Sequence, residues 1–118
     1  MKDLSPELLA RVADYFRILS EPTRLQLLNL LREGEHNVGE LAGRTGFTPA
    51  NVSRHMAQLM AQGMVSREAR GTAVYYRIAN ATVYELCDLV CGAIASHQEK
   101  QARGAAALRS GAARSRAR

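Results

Sequence analysis

The chain has 118 residues, 47% of them hydrophobic and 5% aromatic, with no tryptophan. One small domain with an aliphatic core follows, of a size at which a second copy is a natural source of further buried surface. Two cysteines, a start of Met-Lys-Asp with no apolar segment behind it, and no apolar run near the roughly 18 residues of a membrane span argue against a disulfide-stapled secreted scaffold and a membrane protein. A cytoplasmic chain with reduced thiols is the expectation.

The formal net charge is +5, and its distribution says more than its sum. Residues 103–118 hold five arginines and no acid, while the other 102 residues carry 11 basic and 11 acidic side chains. Within that balanced body, Asn37–Arg77 has Arg44, Arg54, Arg67, Arg70 and Arg77 against Glu40 and Glu68. Positive charge therefore collects in the middle of the chain.

In chain order, Ser5-Pro6 is a cap followed by proline at a first helical position. Leu8, Val12, Phe16 and Leu19 recur at helical spacing, which predicts a helix over 6–19. Ser20 and Pro22 repeat the start signal for a second helix carrying Leu25, Leu28 and Leu31, which Gly34 ends. Asn37 caps a short helix with Val38 and Leu41 that ends near Gly46. Thr48-Pro49 opens another, with Val52, Met56 and Leu59 inward and Gly63 at its end. Two short helices joined by a tight glycine-containing turn are a helix-turn-helix. The β-prone runs Met64–Ala69 and Thr72–Ile78 around Arg70-Gly71 predict a hairpin. Val83, Leu86, Cys87, Val90, Cys91 and Ile94 then form one apolar stripe on a last helix, about 81–101. The Ala/Gly/Ser/Arg composition beyond it predicts a basic disordered tail over 103–118, outside a domain spanning 1–102. The fold class is mainly α with a small β-hairpin, in the order α-α-α-α-β-β-α, a winged helix-turn-helix.

The helix over 49–62 leaves Ala50, Asn51, Ser53, Arg54, Ala57 and Gln58 on the face opposite its apolar residues. That face is small, polar and rich in hydrogen-bonding groups, as entry into a major groove requires. Arg54 suits a guanine edge or a phosphate, Asn51 and Gln58 suit adenine, and Ser53 suits either. Thr48 and the N–H groups of the first turn can hold a phosphate. The hairpin adds Arg67, Arg70 and Arg77, and its Arg70-Gly71 tip suits a minor groove or a DNA backbone, with Gly71 allowing close approach. Tyr75 and Tyr76 point to opposite faces of their strand, one toward the core. His55 lies between the two faces of its helix and is expected to be packed and hydrogen-bonded.

The runs Ile18–Leu25, Val38–Ala42, Val52–Leu59, Gly63–Val65 and Gly71–Ile78 together resemble the ArsR/SmtB family of bacterial metalloregulators, over about residues 8–98. The resemblance implies a repressor that binds a palindromic double-stranded DNA operator as a homodimer and leaves it when an inducer binds. It also implies a dimer interface built from the first and last helices. The apolar stripes of those helices agree, and place Leu8, Val12, Phe16, Val83, Leu86, Val90 and Ile94 there.

The inducer is less legible. Where many family members carry a Cys-Val-Cys pattern, this chain has Asn37 and Gly39. The Asp-x-His and His-x-x-Glu sets that others use for zinc-like metals are not matched by the spacing of Asp88, His97 and Glu99. His36 and His97 are expected at the surface. Cys87 and Cys91 lie i, i+4 on one helical face. They are either a site for a thiophilic ion such as As(III) or for a reactive sulfur or oxygen species, or small hydrophobes in the stripe. Two other functions stay open: a constitutive or architectural DNA-binding protein without inducer, and a thiol redox enzyme. The second lacks the Cys-x-x-Cys spacing and βαβ context of thioredoxin-like sites, and no hydrolase or phosphate-loop motif accompanies it, so no enzyme activity is expected.

Overall fold

The computed structural model describes residues 3–117. Helix α1 (Pro6–Leu19) starts at Ser5, whose hydroxyl accepts from the Leu8 N–H at 3.2 Å. It ends at Ser20, whose N–H and hydroxyl both donate to the Arg17 carbonyl. Ser20 therefore closes α1 and does not open α2 (Pro22–Leu31). The cap of α2 is Glu21, whose carboxylate accepts from the Thr23 N–H at 2.8 Å and the Arg24 N–H at 3.4 Å. A carboxylate there also meets the positive end of the helix dipole.

Strand β1 (His36–Asn37) leads into α3 (Val38–Thr45). Asn37 caps α3 in a reciprocal box. Its side chain accepts from the Glu40 N–H at 2.8 Å, and Glu40 reaches back to the Asn37 N–H at 3.4 Å. After the Gly46 turn, Thr48 caps α4 (Pro49–Ala61) by accepting from the Asn51 N–H at 3.1 Å. Helix α4 ends at Gly63, with φ +70°. The Gly63 N–H donates to Met60 and the Met64 N–H to Leu59, the paired bonds of a Schellman close. Leu59 and Met64 are both buried beneath it.

Strands β2 (Val65–Arg70) and β3 (Ala73–Ile78) pair antiparallel from Val65↔Ile78 to Arg70↔Ala73. The connection is the two residues Gly71-Thr72. Gly71 has φ +61° and Thr72 does not share a positive φ, the pattern of a type II′ turn. The sheet has three strands in the order β1-β3-β2, not the two of a hairpin, because His36 and Asn37 pair with Tyr76 and Tyr75. Two residues are too few to show a period of two, which is why this strand leaves no trace in the sequence.

Leu27, Leu41, Val52, Met56 and Leu59 are at most 1% exposed, and no polar or charged residue joins the buried core among the described residues. At about 1.5–3 kcal/mol for each large aliphatic side chain buried, this cluster supplies the main force holding α4 in place. Val52, Met56 and Leu59 fall at i, i+4, i+7, so seating them fixes which side of α4 remains outside.

The chain divides into two units, one through Ala81 and one from Thr82. The second is the single helix α5 (Thr82–Ala117). Past the expected boundary at 102 the helix continues through Arg103 and Arg109 to Ala117; Arg118 lies outside the described residues, as do the side chains of residues 112–117. Alanine is the strongest helix former and no proline interrupts the segment. A Glu99–Arg103 pair at 3.7 Å adds an i, i+4 contact. Among the described residues no helix is long and apolar enough to cross a membrane.

Candidate nucleic-acid interface

Thr48, Ala50, Asn51, Ser53, Arg54, Ala57 and Gln58 are all exposed. The core residues of α4 turn this face outward as a set. Arg54 Nη2 donates to Asn51 Oδ1 at 3.2 Å, which ties two of the reading side chains together about one turn apart. The remaining guanidinium donors stay available for a base edge or a phosphate.

His55 sits at the edge of this face, half-buried. Arg24 Nη1 approaches its Nδ1 at 3.3 Å, while Arg24 Nε donates to the Ile18 carbonyl at 2.6 Å. Burial holds the His55 pKa below the usual histidine range, opposed by the Glu21 carboxylate and assisted by Arg24 and Arg54. The packed histidine expected from sequence is present. Its contact with Arg24, and the Glu21 carboxylate beside it, carry no sequence signal, since a contact between residues 31 positions apart leaves no local pattern.

The wing departs from expectation. Cross-strand partners share a face of a sheet, so Ser66, Glu68 and Arg70 share one face with Arg77, Tyr75 and Ala73. Arg67 shares the other with Tyr76. The three wing arginines do not form one basic surface. Arg70 is gripped by Glu35 at 2.6 and 2.9 Å and by Glu68 at 3.0 Å, and its guanidinium lies 4.5 Å from the centroid of the Tyr75 ring. Those bonds hold the Arg70 pKa above, and those of Glu35 and Glu68 below, their ordinary values. Arg77 Nε donates to Ser66 Oγ at 3.3 Å. Arg67 is exposed and, among the described residues, engages no carboxylate. Gly71 is exposed at the tip. Tyr76 is the core tyrosine, 4% exposed, and Tyr75 lies half-buried under Arg70.

Charge counting along the chain therefore overstates the basic surface. Arg44 is neutralised by Glu33 at 2.8 Å and Arg70 by Glu35, acids that lie just outside Asn37–Arg77. Among the described residues, Arg54 and Arg67 remain without a carboxylate partner, whereas Arg77 shares the face of Glu68 and helps to lower the pKa values of Glu35 and Glu68. His36 is not a surface histidine: its side chain is 13% exposed and its Nδ1 lies 3.0 Å from Glu40 Oε2.

On α1, Leu8 and Phe16 are exposed and Val12 is half-buried; Leu9 is exposed beside them. On α5, Val90 and Ile94 are exposed and Leu86 is half-buried; Leu89 is exposed as well. Val83 is fully buried within the chain, which removes it from any surface offered to a second copy. Sequence periodicity marks Val83 as apolar but does not say which apolar positions are already covered. Cys87 is half-buried and Cys91 exposed. Among the described residues no group of three or more His, Cys, Asp or Glu is placed to hold a metal ion.

A capped polar helix standing clear of its core beside a short β-ribbon defines the winged helix-turn-helix DNA-binding class. The family described as "Bacterial regulatory protein, arsR family" matches residues 21–67. The chain is 34% identical to the biofilm growth-associated repressor of Xylella fastidiosa over 77% of its own length and 79% of that protein's. It is 37% identical to the HTH-type transcriptional regulator KmtR of Mycobacterium tuberculosis, over 64% of this chain and 58% of that one, so it spans under two thirds of that regulator's length. The homodimeric winged helix-turn-helix DNA-binding domain of a possible ArsR-family regulator from Mycobacterium bovis superposes with a TM-score of 0.71 at 35% identity, covering 84% of this chain and 94% of that one. The chain belongs to the ArsR family of DNA-binding transcriptional regulators.

Proposed function

We propose that the protein is a sequence-specific repressor that binds an inverted-repeat operator as a homodimer, α4 in the major groove and the wing on the flanking backbone. The observation that carries this is the exposed face of α4, from Ala50 to Gln58, kept outside by Val52, Met56 and Leu59. The exposed apolar residues of α1 and α5 supply the surface for a second copy. Two-fold symmetry then sets the two reading helices roughly 34–36 Å apart, one turn of DNA. Repeated selection of duplexes from a random pool by the full chain tests this. Enrichment of an inverted repeat is expected; a pool that stays random would favour the constitutive, sequence-independent alternative.

The inducer is a thiophilic metal(loid) ion such as As(III), or a reactive sulfur or oxygen species, acting at Cys87 and Cys91. Their i, i+4 spacing on α5 puts both sulfurs on one side of the helix, and Cys91 is exposed to reagent. One chain offers two sulfur donors and a homodimer four, enough for a soft ion between copies. Release of the selected duplex by arsenite, cadmium, persulfide or peroxide from the reduced wild type, and not from a Cys87→Ser/Cys91→Ser chain, is the expected result. Equal release from both would make these thiols packing residues.

A further inference from the structure

One guanidinium joins three helices. Arg24, in the first turn of α2, donates from Nε to the Ile18 carbonyl at 2.6 Å, in the last turn of α1. Its Nη1 lies 3.3 Å from His55 Nδ1, on α4. Arginine is a donor only, so His55 Nδ1 is the acceptor and the neutral ring carries its proton on Nε2. The Ile18 carbonyl belongs to the group that a helix end leaves without an intrahelical partner. His55 directly follows Arg54, so its ring sits at the border between the buried and reading sides of α4.

We propose that Arg24 is a positioning residue for DNA reading, holding α4 at a fixed seat against the end of α1 by grasping the Ile18 carbonyl and the neutral His55 ring at once. This rests on the operator reading above and goes beyond it. Helix α1 presents Leu8 and Phe16 outward. The same guanidinium therefore connects the helix offered to a second copy with the helix offered to DNA. Hydrophobic burial of Val52, Met56 and Leu59 keeps α4 in the molecule, but aliphatic contacts are non-directional. A forked, charged donor with two acceptors on different helices is directional, and it restricts how α4 rolls and slides on that core.

The arrangement depends on which ring nitrogen carries a proton. The charged groups facing His55 are Glu21 and Arg24 from α2 and Arg54 from α4 itself. Protonating Nδ1 turns the acceptor into a donor and sets an imidazolium against the guanidinium. The Arg24–His55 contact is then lost, whereas the bond to Ile18 stays.

The test uses the full chain, a duplex that the wild type has selected from a random pool, and a random-sequence duplex of equal length. The readout is the ratio of the two affinities by fluorescence anisotropy between about pH 4.5 and pH 8, a span that extends well below the ordinary histidine value of about 6.5. His55→Phe fills the space without an acceptor, and Arg24→Lys keeps the charge but loses the fork. Each should lower the ratio about tenfold or more, a change of ~1.4 kcal/mol in selectivity, while affinity for the random duplex holds. His55→Gln supplies an amide oxygen as acceptor and should restore the ratio. The wild-type ratio should fall on acidification below the ordinary histidine range, and that of His55→Gln should stay flat. If His55→Phe and Arg24→Lys keep the wild-type ratio, or His55→Gln loses selectivity in acid as the wild type does, Arg24 does not position α4. Should the first two variants fail to fold, the acid comparison alone decides. A wild type that selects no duplex would instead remove the operator reading itself.

Discussion

Arg70 reaches across β3 and grips Glu35 with both terminal nitrogens, each on a different carboxylate oxygen, while its guanidinium stacks over Tyr75. Glu35 precedes β1 and Arg70 ends β2, so the pair straps the outer strands over the central one. Glu68 binds the same guanidinium, so a phosphate would compete with two carboxylates for it. Arg67, on the other face, engages none among the described residues.

Salt titration separates the two. Each phosphate contact contributes about 0.9 to the slope of log affinity against log salt. Arg67→Ala should flatten that slope by about one contact's worth, and Arg70→Ala by less than half as much. Anisotropy titrations on one selected duplex over a range of potassium chloride concentrations measure both. Equal flattening would mean that Arg70 leaves Glu35 to bind DNA.

The same carboxylates set the response to acid. Hydrogen bonds from Arg44 to Glu33, from Arg70 to Glu35 and Glu68, and from His36 to Glu40 hold all four pKa values below the ordinary glutamate range. A depressed folded pKa gives stability that is present above the unfolded value and lost as pH falls through the folded one. Thermal melts should therefore lose midpoint as pH drops below about 4.3, the unperturbed glutamate value. Glu35→Gln should lose less over that step than wild type. An identical drop in both would show that Glu35 takes no part.

Two glycines should answer oppositely to alanine. Gly63 has φ +70°, and a Cβ there would meet nothing within 4 Å, so the requirement is the backbone angle alone. Gly63→Ala should cost about 1–2 kcal/mol in denaturant melts. Gly43 lies inside α3 with equally open space and no positive φ. Gly43→Ala should add about 0.5–1 kcal/mol. A Gly63→Ala chain as stable as wild type would contradict the Schellman close of α4.

What the sequence shows clearly is what local rules encode. Ser5-Pro6, Asn37 with Glu40, and Thr48-Pro49 mark three helix starts where the structure has them. The period of Val52, Met56 and Leu59 separates the buried side of α4 from the reading side. Side-chain pairing over distance is silent in the sequence: Arg24 with His55, and Arg70 with Glu35, join residues 31 and 35 positions apart. That silence is why the wing looked more basic than it is. At Ser20-Glu21 two residue types able to cap stand side by side, and only geometry shows that the first ends α1 and the second begins α2. Beyond residue 102 the low-complexity Ala/Gly/Ser/Arg composition reads as a tail, and what it hides is the helix-forming alanine content and the Glu99–Arg103 spacing.

The exposed apolar faces of α1 and α5 should hold two copies together. Phe16 and Ile94 are 50% and 53% exposed, so a charge at either is tolerated in one chain but not between two. Phe16→Glu and Ile94→Glu should sediment as monomers at concentrations where wild type is a dimer, with unchanged far-ultraviolet circular dichroism. Dimers of wild-type affinity in both variants would place the contact elsewhere.

Methylation protection at guanine N7 tests the reading face most directly, because that atom lies in the major groove. On a selected duplex, the account predicts two protected patches about ten base pairs apart, both weakened by Arg54→Ala in a chain that still folds and dimerises. Protection confined to one patch, absent altogether, or unchanged by Arg54→Ala would contradict it.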